Sequence, residues 1–281
     1  MTTVTGDITE LTDREFEKIS DLVKNLCGIN LHQGKKELVK ARLNKRLRAL
    51  SLTNFEDYIA HIRADASGDE LITMLDAIST NLTSFFRENG HFEHLAQTVL
   101  PQIVANRAGA RGRLRIWSAG CSSGEEPYTI AIVLHETIQD LASWDAKILA
   151  TDLSTKVLAK AVEGVFNTDR LRGIPGAIVQ RHFTCVQTKP ERIFRVQDSV
   201  RRLVTFARLN LLESWPMTGP FDIIFCRNVM IYFDKPTQTK LIDRFWNLLG
   251  PAGVLYVGHS ESLTGVKHRF EYVQPTVYRK A

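Results

Sequence analysis

The chain has no cysteine pair at metal-ligand spacing, no long apolar run and no basic leader at its start, and each absence closes off a class of protein. Its four cysteines, Cys27, Cys121, Cys185 and Cys226, are widely spaced, with no C-x-x-C and no histidines nearby at zinc spacing. Reduced, mostly buried thiols and no metal are therefore expected. No apolar stretch reaches the ~18 to 20 residues that span a bilayer, and the opening MTTVTGDITELTD is polar and acidic, unlike a secretion signal. A cytoplasmic protein without direct membrane insertion is the expectation. Acidic residues fall short of basic ones, leaving a net charge of +5. That favours an anionic partner without saying which, so nucleic acid, membrane surface and acidic protein all stay open on charge alone.

What is present, 281 residues with 44% hydrophobic content, suffices for one sizeable domain and a smaller one. Apolar residues recur at helical spacing in FEKISDLVKNL, ELVKARLNKRLRAL, FEDYIAHI and ELITMLDAIS, which predicts a helical domain over about 1–90 with a linker to about 112. From 113 to 281 the strand candidates LRIWSA, KILATD, LVTFARLNL, FDIIFCRN and GVLYVGHS alternate with helical stretches. This α/β alternation predicts a doubly wound parallel sheet, with FEYV and TVYRK as an antiparallel edge. The rhythm breaks into Arg-rich sequence with a strand candidate RIFRV at about 171–203, read as a small inserted β-subdomain.

The first strand runs into Gly120-Cys121-Ser122-Ser123-Gly124-Glu125-Glu126 and a helix. Strand, glycine turn and helix together make a ligand crevice in open α/β sheets, though many such turns bind nothing. The second strand ends in Asp152, which can accept ribose hydroxyls or merely cap the next helix. Glu125 and Glu126 would repel a pyrophosphate, so a cationic adenosyl ligand without phosphate fits better.

NVMIYF after FDIIFC, with TNLTSFFRE at 80–88, SSGEEPY at 122–128 and GHSES at 258–262, closely resembles the CheR family of chemotaxis receptor methyltransferases, in order and over nearly the whole chain. The resemblance implies a Rossmann-like class I methyltransferase preceded by an all-α domain, using S-adenosylmethionine to esterify receptor glutamates and releasing S-adenosylhomocysteine. It assigns Asn81, Thr83, Arg87, Glu126, Asp152, Asn210, Leu211, Asn228 and Val229 to cofactor binding, and Arg87 with Tyr232 to the place beside the transferring methyl. A glutamate carboxylate is already ionised at neutral pH, so Arg87 and Tyr232 are expected to orient it; His259 is expected to be structural.

On a helical wheel Val39, Leu43, Leu47 and Leu50 form one stripe, with Lys35, Arg42, Lys45 and Arg46 along its flank. Alone this is a solvated face. With the resemblance it is expected to be a basic ridge that docks the acidic helical cytoplasmic domain of receptors, bringing a monomeric enzyme to membrane-bound arrays. A nucleic-acid partner is not expected, because the end of the fourth strand lacks the [DNS]-P-P-[YFW] motif of base methyltransferases; an inactive adaptor remains the other alternative. The insertion's loop, Thr184 to Glu191, contains no glycine, unlike the loop by which some family members grip a receptor tail peptide. Tail binding is therefore not expected here.

Overall fold

In the computed structural model, which describes residues 10–78, 81–107 and 112–281, the chain divides into two units. One comprises residues up to Thr80 with Tyr232–Thr237, the other Asn81–Ile231 with Gln238–Ala281.

The first unit is helical: α1 (Asp13–Cys27), α2 (Lys36–Ala49), α3 (Phe55–Ala64) and α4 (Asp69–Ile78). The start of α1 is set by a reciprocal cap, in which Thr12 Oγ1 accepts from the Glu15 amide and Glu15 accepts from the Thr12 amide, satisfying two otherwise unpaired donors. Gly28, at φ 74°, closes it. The stripes that face inward are the expected ones, Phe16, Ile19 and Val23 on α1 and Val39, Leu43 and Leu47 on α2, all at most 1% exposed. Leu50 lies past the end of α2 and is only partly buried.

The flank of α2 departs from the expected solvent-facing ridge. Arg46 makes a two-pronged ion pair with Glu70 of α4 (Nε–Oε1 3.0 Å, Nη2–Oε2 2.5 Å), and the Tyr58 hydroxyl donates to the same carboxylate at 2.8 Å. Arg42 donates to the carbonyls of Ala77 and Ile78, where the unpaired carbonyls of a helix end attract a cation. Both arginines thus tie α2 to α4. A helical wheel gives their angle but not the helix that packs against it. Lys45 is exposed, and Lys35 lies over the Tyr232 ring at 5.1 Å.

Among its described residues the second unit contains ten strands: β1 (Arg113–Ala119), β2 (Asp145–Asp152), β3 (Val165–Asn167), β4 (Phe183–Gln187), β5 (Ile193–Val196), β6 (Val204–Arg208), β7 (Phe221–Cys226), β8 (Leu249–Val257), β9 (Glu271–Gln274) and β10 (Val277–Arg279). Seven form one sheet in the order β6-β2-β1-β7-β8-β10-β9. Its first five strands are parallel, and β10 and β9 close it antiparallel. The central strands β1 and β7 are buried through most of their length, as a sheet covered on both faces requires. The helices are α5 (Gly90–His94), α6 (Leu100–Asn106), α7 (Glu125–Thr137), α8 (Thr155–Glu163), α9 (Gly176–His182), α10 (Asp198–Arg201) and α11 (Lys235–Leu248), the last beginning in the helical unit's 232–237 segment. A π-helical turn, Leu95–Val99, joins α5 to α6.

The strands β3, β5 and β4 form a separate three-stranded sheet, so the insertion begins at Val165, before the expected 171. Asn81 to Gly90 groups with the sheet unit, ten residues ahead of the boundary expected near 90. The reason is packing: Phe85 is 7% exposed and meets the rings of Phe166 and Phe183 edge-on at 4.9 and 5.3 Å. Cys27, Cys121 and Cys226 are buried, Cys185 is exposed, and all four are free thiols.

Candidate active site

Strand order reverses around β1, which lies between β2 and β7. A crevice therefore opens at the carboxyl ends of these strands. The turn leaving β1 is held to β2 by the amides of Gly120 and Cys121, which both donate to the Thr151 carbonyl at 2.8 and 2.9 Å. Gly120 has φ +86°, and a Cβ there would lie 2.3 Å from Val229 Cγ2, so only glycine lets the two loops approach.

Asp152 stands at the end of β2. Its Oδ2 accepts from the Ser122 amide at 2.8 Å and its Oδ1 from the Ser154 amide at 2.9 Å. The cap of α8 is Ser154, whose hydroxyl accepts from Val157, so Asp152 is not the cap. Its carboxylate ties the glycine turn to the β2 loop.

Arg227, after β7, has a side chain only 2% exposed. It reaches Glu126 Oε2 at 3.1 Å and Glu88 Oε2 at 3.0 Å, and also donates to the Arg87 carbonyl. Glu126 accepts from Ser118 Oγ at 2.7 Å as well. Burial raises the pKa of Glu126, outweighing the opposing pull of Arg227 and Ser118. At Glu88 burial acts in the same upward sense, but Arg227, Asn228 and the His259 amide outweigh it and hold the carboxyl below its usual range. One guanidinium therefore fixes two acidic groups from distant parts of the chain.

A third carboxylate, Glu261, is 5% exposed and accepts from the amides of Asn228 (2.7 Å), Gly258 (2.6 Å) and Ile231 (3.1 Å). It holds the loop after β7 with Asn228 at φ +61°, a conformation an unsupported asparagine adopts at some cost. Burial raises the Glu261 pKa against these amides.

The segment at 81–90 is fastened to the same crevice. The Asn81 carbonyl accepts from Ser122 Oγ at 3.0 Å, the Thr83 carbonyl from Arg170 at 3.0 Å, and the Phe86 amide donates to Thr129 Oγ1 at 3.2 Å. Phe86 and Glu88 both have positive φ, 53° and 56°. The Arg87 guanidinium folds back to donate to the Leu82 carbonyl at 2.7 Å. Asn210 and Leu211 follow β6, beside Leu209, whose amide donates to the Asp152 carbonyl at 3.0 Å. Both are buried, and Asn210 Oδ1 accepts from the Leu212 amide.

Asn81, Glu126, Asp152, Asn210, Asn228 and Val229 are thus linked directly or through one neighbour in the sheet unit. Tyr232 belongs to the helical unit, where its carbonyl accepts from the Asn30 amide at 2.8 Å. Arg227, Glu88 and Glu261 were not singled out by sequence reasoning, although all three stand inside motifs it quoted. His91 packs behind them with its ring 2% exposed. Burial, then Arg227, push its pKa down to about 3, and the ring is neutral.

Two family models match the chain: CheR methyltransferase, all-alpha domain, over residues 14–79, and CheR methyltransferase, SAM binding domain, over residues 81–279. A probable chemotaxis protein methyltransferase of Rhizobium etli is 45% identical over 90% of this chain and 94% of its own length. The chemotaxis protein methyltransferase of Borreliella burgdorferi is 40% identical over 96% and 95% of the two chains. Chemotaxis protein methyltransferase 2 of Pseudomonas aeruginosa is 42% identical over 96% and 94%. No described helix is long and apolar enough to cross a membrane.

Proposed function

From the chain's membership of the CheR methyltransferase family, we propose that it transfers the methyl group of S-adenosylmethionine to glutamate side chains of chemotaxis receptors. The observation that carries this reading is the convergence of Asp152 and Glu126 around the glycine turn of adjacent parallel strands. Acidic groups with no phosphate cradle suit an adenosyl ligand bearing a sulfonium and an ammonium.

When bound, S-adenosylmethionine supplies an electrophilic methyl. Asp152 receives the ribose hydroxyls and Glu126 the methionine end, while Asn210, Leu211, Asn228 and Val229 line the remainder with Asn81 and Thr83. Arg87 and Tyr232 orient the incoming glutamate. Its carboxylate oxygen forms the new C–O bond as the C–S bond breaks, giving the methyl ester and S-adenosylhomocysteine. No general base is needed, because the nucleophile is already an anion. Attack consumes both charges, so tight stabilisation of the carboxylate would slow it; the contribution of the residues is alignment and exclusion of water. Methyl incorporation into receptor fragments carrying single Glu→Ala changes tests this: label should vanish at specific positions, and label that persists through all of them would count against it.

Asp152→Ala should lower calorimetric affinity for S-adenosylhomocysteine by about 1 to 3 kcal/mol, the scale of hydrogen bonds to a charged group. Unchanged affinity in a folded variant removes the residue from the cofactor site.

Receptor docking is proposed for the exposed side of α2 with Lys45 and Lys35, since Arg42 and Arg46 have internal partners. Recruitment through a receptor tail is not proposed. β4 is an edge strand that takes in the first half of the expected loop, Thr184 to Gln187 with Val186; the remainder carries Thr188 and Pro190 and no glycine, and proline offers no amide. C-terminal receptor peptides titrated by calorimetry should show no micromolar binding; such binding, with a gain in methylation, would reverse this.

A further inference from the structure

We propose that Glu88, His91 and His259 form a binding site for a divalent transition-metal ion of the zinc type. It rests on groups the methyl-transfer account does not use as ligands, all within the sheet unit. Among the described residues these three offer ligand atoms that lie within 4.8 Å of one another.

The decisive group is His91. Its Nε2 lies 2.7 Å from Thr276 Oγ1, and that hydroxyl donates its own hydrogen to the Pro275 carbonyl at 2.6 Å. With the hydroxyl turned to Pro275, Thr276 Oγ1 accepts from His91 Nε2, and it is this tautomer, which leaves Nδ1 a lone pair, that the proposal takes. This Nδ1 is buried with no hydrogen-bond partner. It faces Glu88 Oε2 at 3.8 Å, a lone pair against an anion, which a cation between them would relieve.

The surroundings meet the other requirements of a metal site. A ligating histidine ordinarily donates its second ring nitrogen to a fixed acceptor, as His91 does to Thr276. The His259 ring stands edge-on to that of His91 at 5.1 Å on an exposed residue, which gives an entry path from solvent. Two imidazoles and one carboxylate are a zinc-type set, whereas magnesium and calcium want oxygen throughout. Tetrahedral ligand atoms at ~2.0 to 2.2 Å from zinc lie roughly 3.4 Å apart, so the 3.8 Å pair needs only a small contraction. Arg227 on the same carboxylate at 3.0 Å opposes the ion, so micromolar affinity is expected and not the tight binding of structural zinc. No spacing rule exposes the set, because Glu88 and His91 are three residues apart in the turn that leads into α5 and His259 follows much later in the chain.

The test is competition of the metal-stripped, full-length protein with a chromophoric chelator for Zn²⁺, in a Cys185→Ser background that removes the exposed thiol. One zinc per chain at micromolar Kd is expected, and Co²⁺ should give the visible bands of a low-coordinate nitrogen and oxygen site. His259→Ala should weaken binding at least tenfold with unchanged Tm, while His268→Ala, at another exposed histidine, should not. Absence of stoichiometric binding, or binding indifferent to His259→Ala, overturns the proposal.

Discussion

Arg46→Ala is expected to lower the stability of the helical unit by about 3 kcal/mol, near the lower end of the cost of orphaning a buried charge. Glu70 is 8% exposed and Arg46 26%, so solvent screens the pair only from one side. Without the guanidinium the Glu70 carboxylate keeps the Tyr58 hydroxyl but loses both charged donors. Arg46→Glu should be worse, since it sets two carboxylates face to face. Denaturant unfolding of a double-mutant cycle with Glu70→Gln measures the coupling, expected at about 2 kcal/mol; a value under ~0.5 kcal/mol would mean an ordinary screened surface pair. Lys45→Glu, at an exposed position, should leave stability within ~0.5 kcal/mol while raising the KM for receptor, more so at low salt. That contrast separates a docking residue from a fold-holding one, which a charge reversal at Arg46 would confuse.

The second large effect is expected at Arg227. Arg227→Met leaves Glu88 and Glu126, whose side chains are only 12% and 11% exposed, without their shared cation and should cost about 3 kcal/mol of stability, the lower end for a broken buried pair. Wherever the variant stays folded, affinity for S-adenosylhomocysteine should fall at least about tenfold, or ~1.4 kcal/mol, because Glu126 is no longer fixed. Arg227→Lys keeps the charge but not a fork that spans two carboxylates, so it should fall between the two. Unfolding curves and calorimetry at low temperature read both effects. Wild-type affinity and stability in Arg227→Met would remove the network from the account.

The two expectations differ in how visible their causes are in the sequence. The strand ends that lead to Glu126, Asp152 and Asn228 are legible because apolar runs break there at glycine, acidic or polar residues, and burial of β1 and β7 follows those runs. The helical stripes are legible for the same reason, since period alone places Val39, Leu43 and Leu47 inward. What faces a charged flank is not periodic. Glu70 lies 24 residues from Arg46, and Glu88 lies 139 from Arg227, and only the folded chain brings them together. Glu261 is hidden likewise, because a carboxylate that collects three backbone amides looks in sequence like any surface glutamate. The early end of the helical unit was obscured because Phe85 and Phe86 fit a helical stripe as readily as the sheet unit's core that Phe85 enters.

The most direct measurement is the alkali lability of the transferred methyl. Receptor cytoplasmic fragments are incubated with enzyme and methyl-labelled S-adenosylmethionine, freed of cofactor, and treated with mild base. Receptor-bound label released as volatile methanol is the predicted result, since carboxyl esters hydrolyse where N-methyl and ether groups do not. Label that resists base, or enters nucleic acid and not receptor, would contradict glutamate esterification.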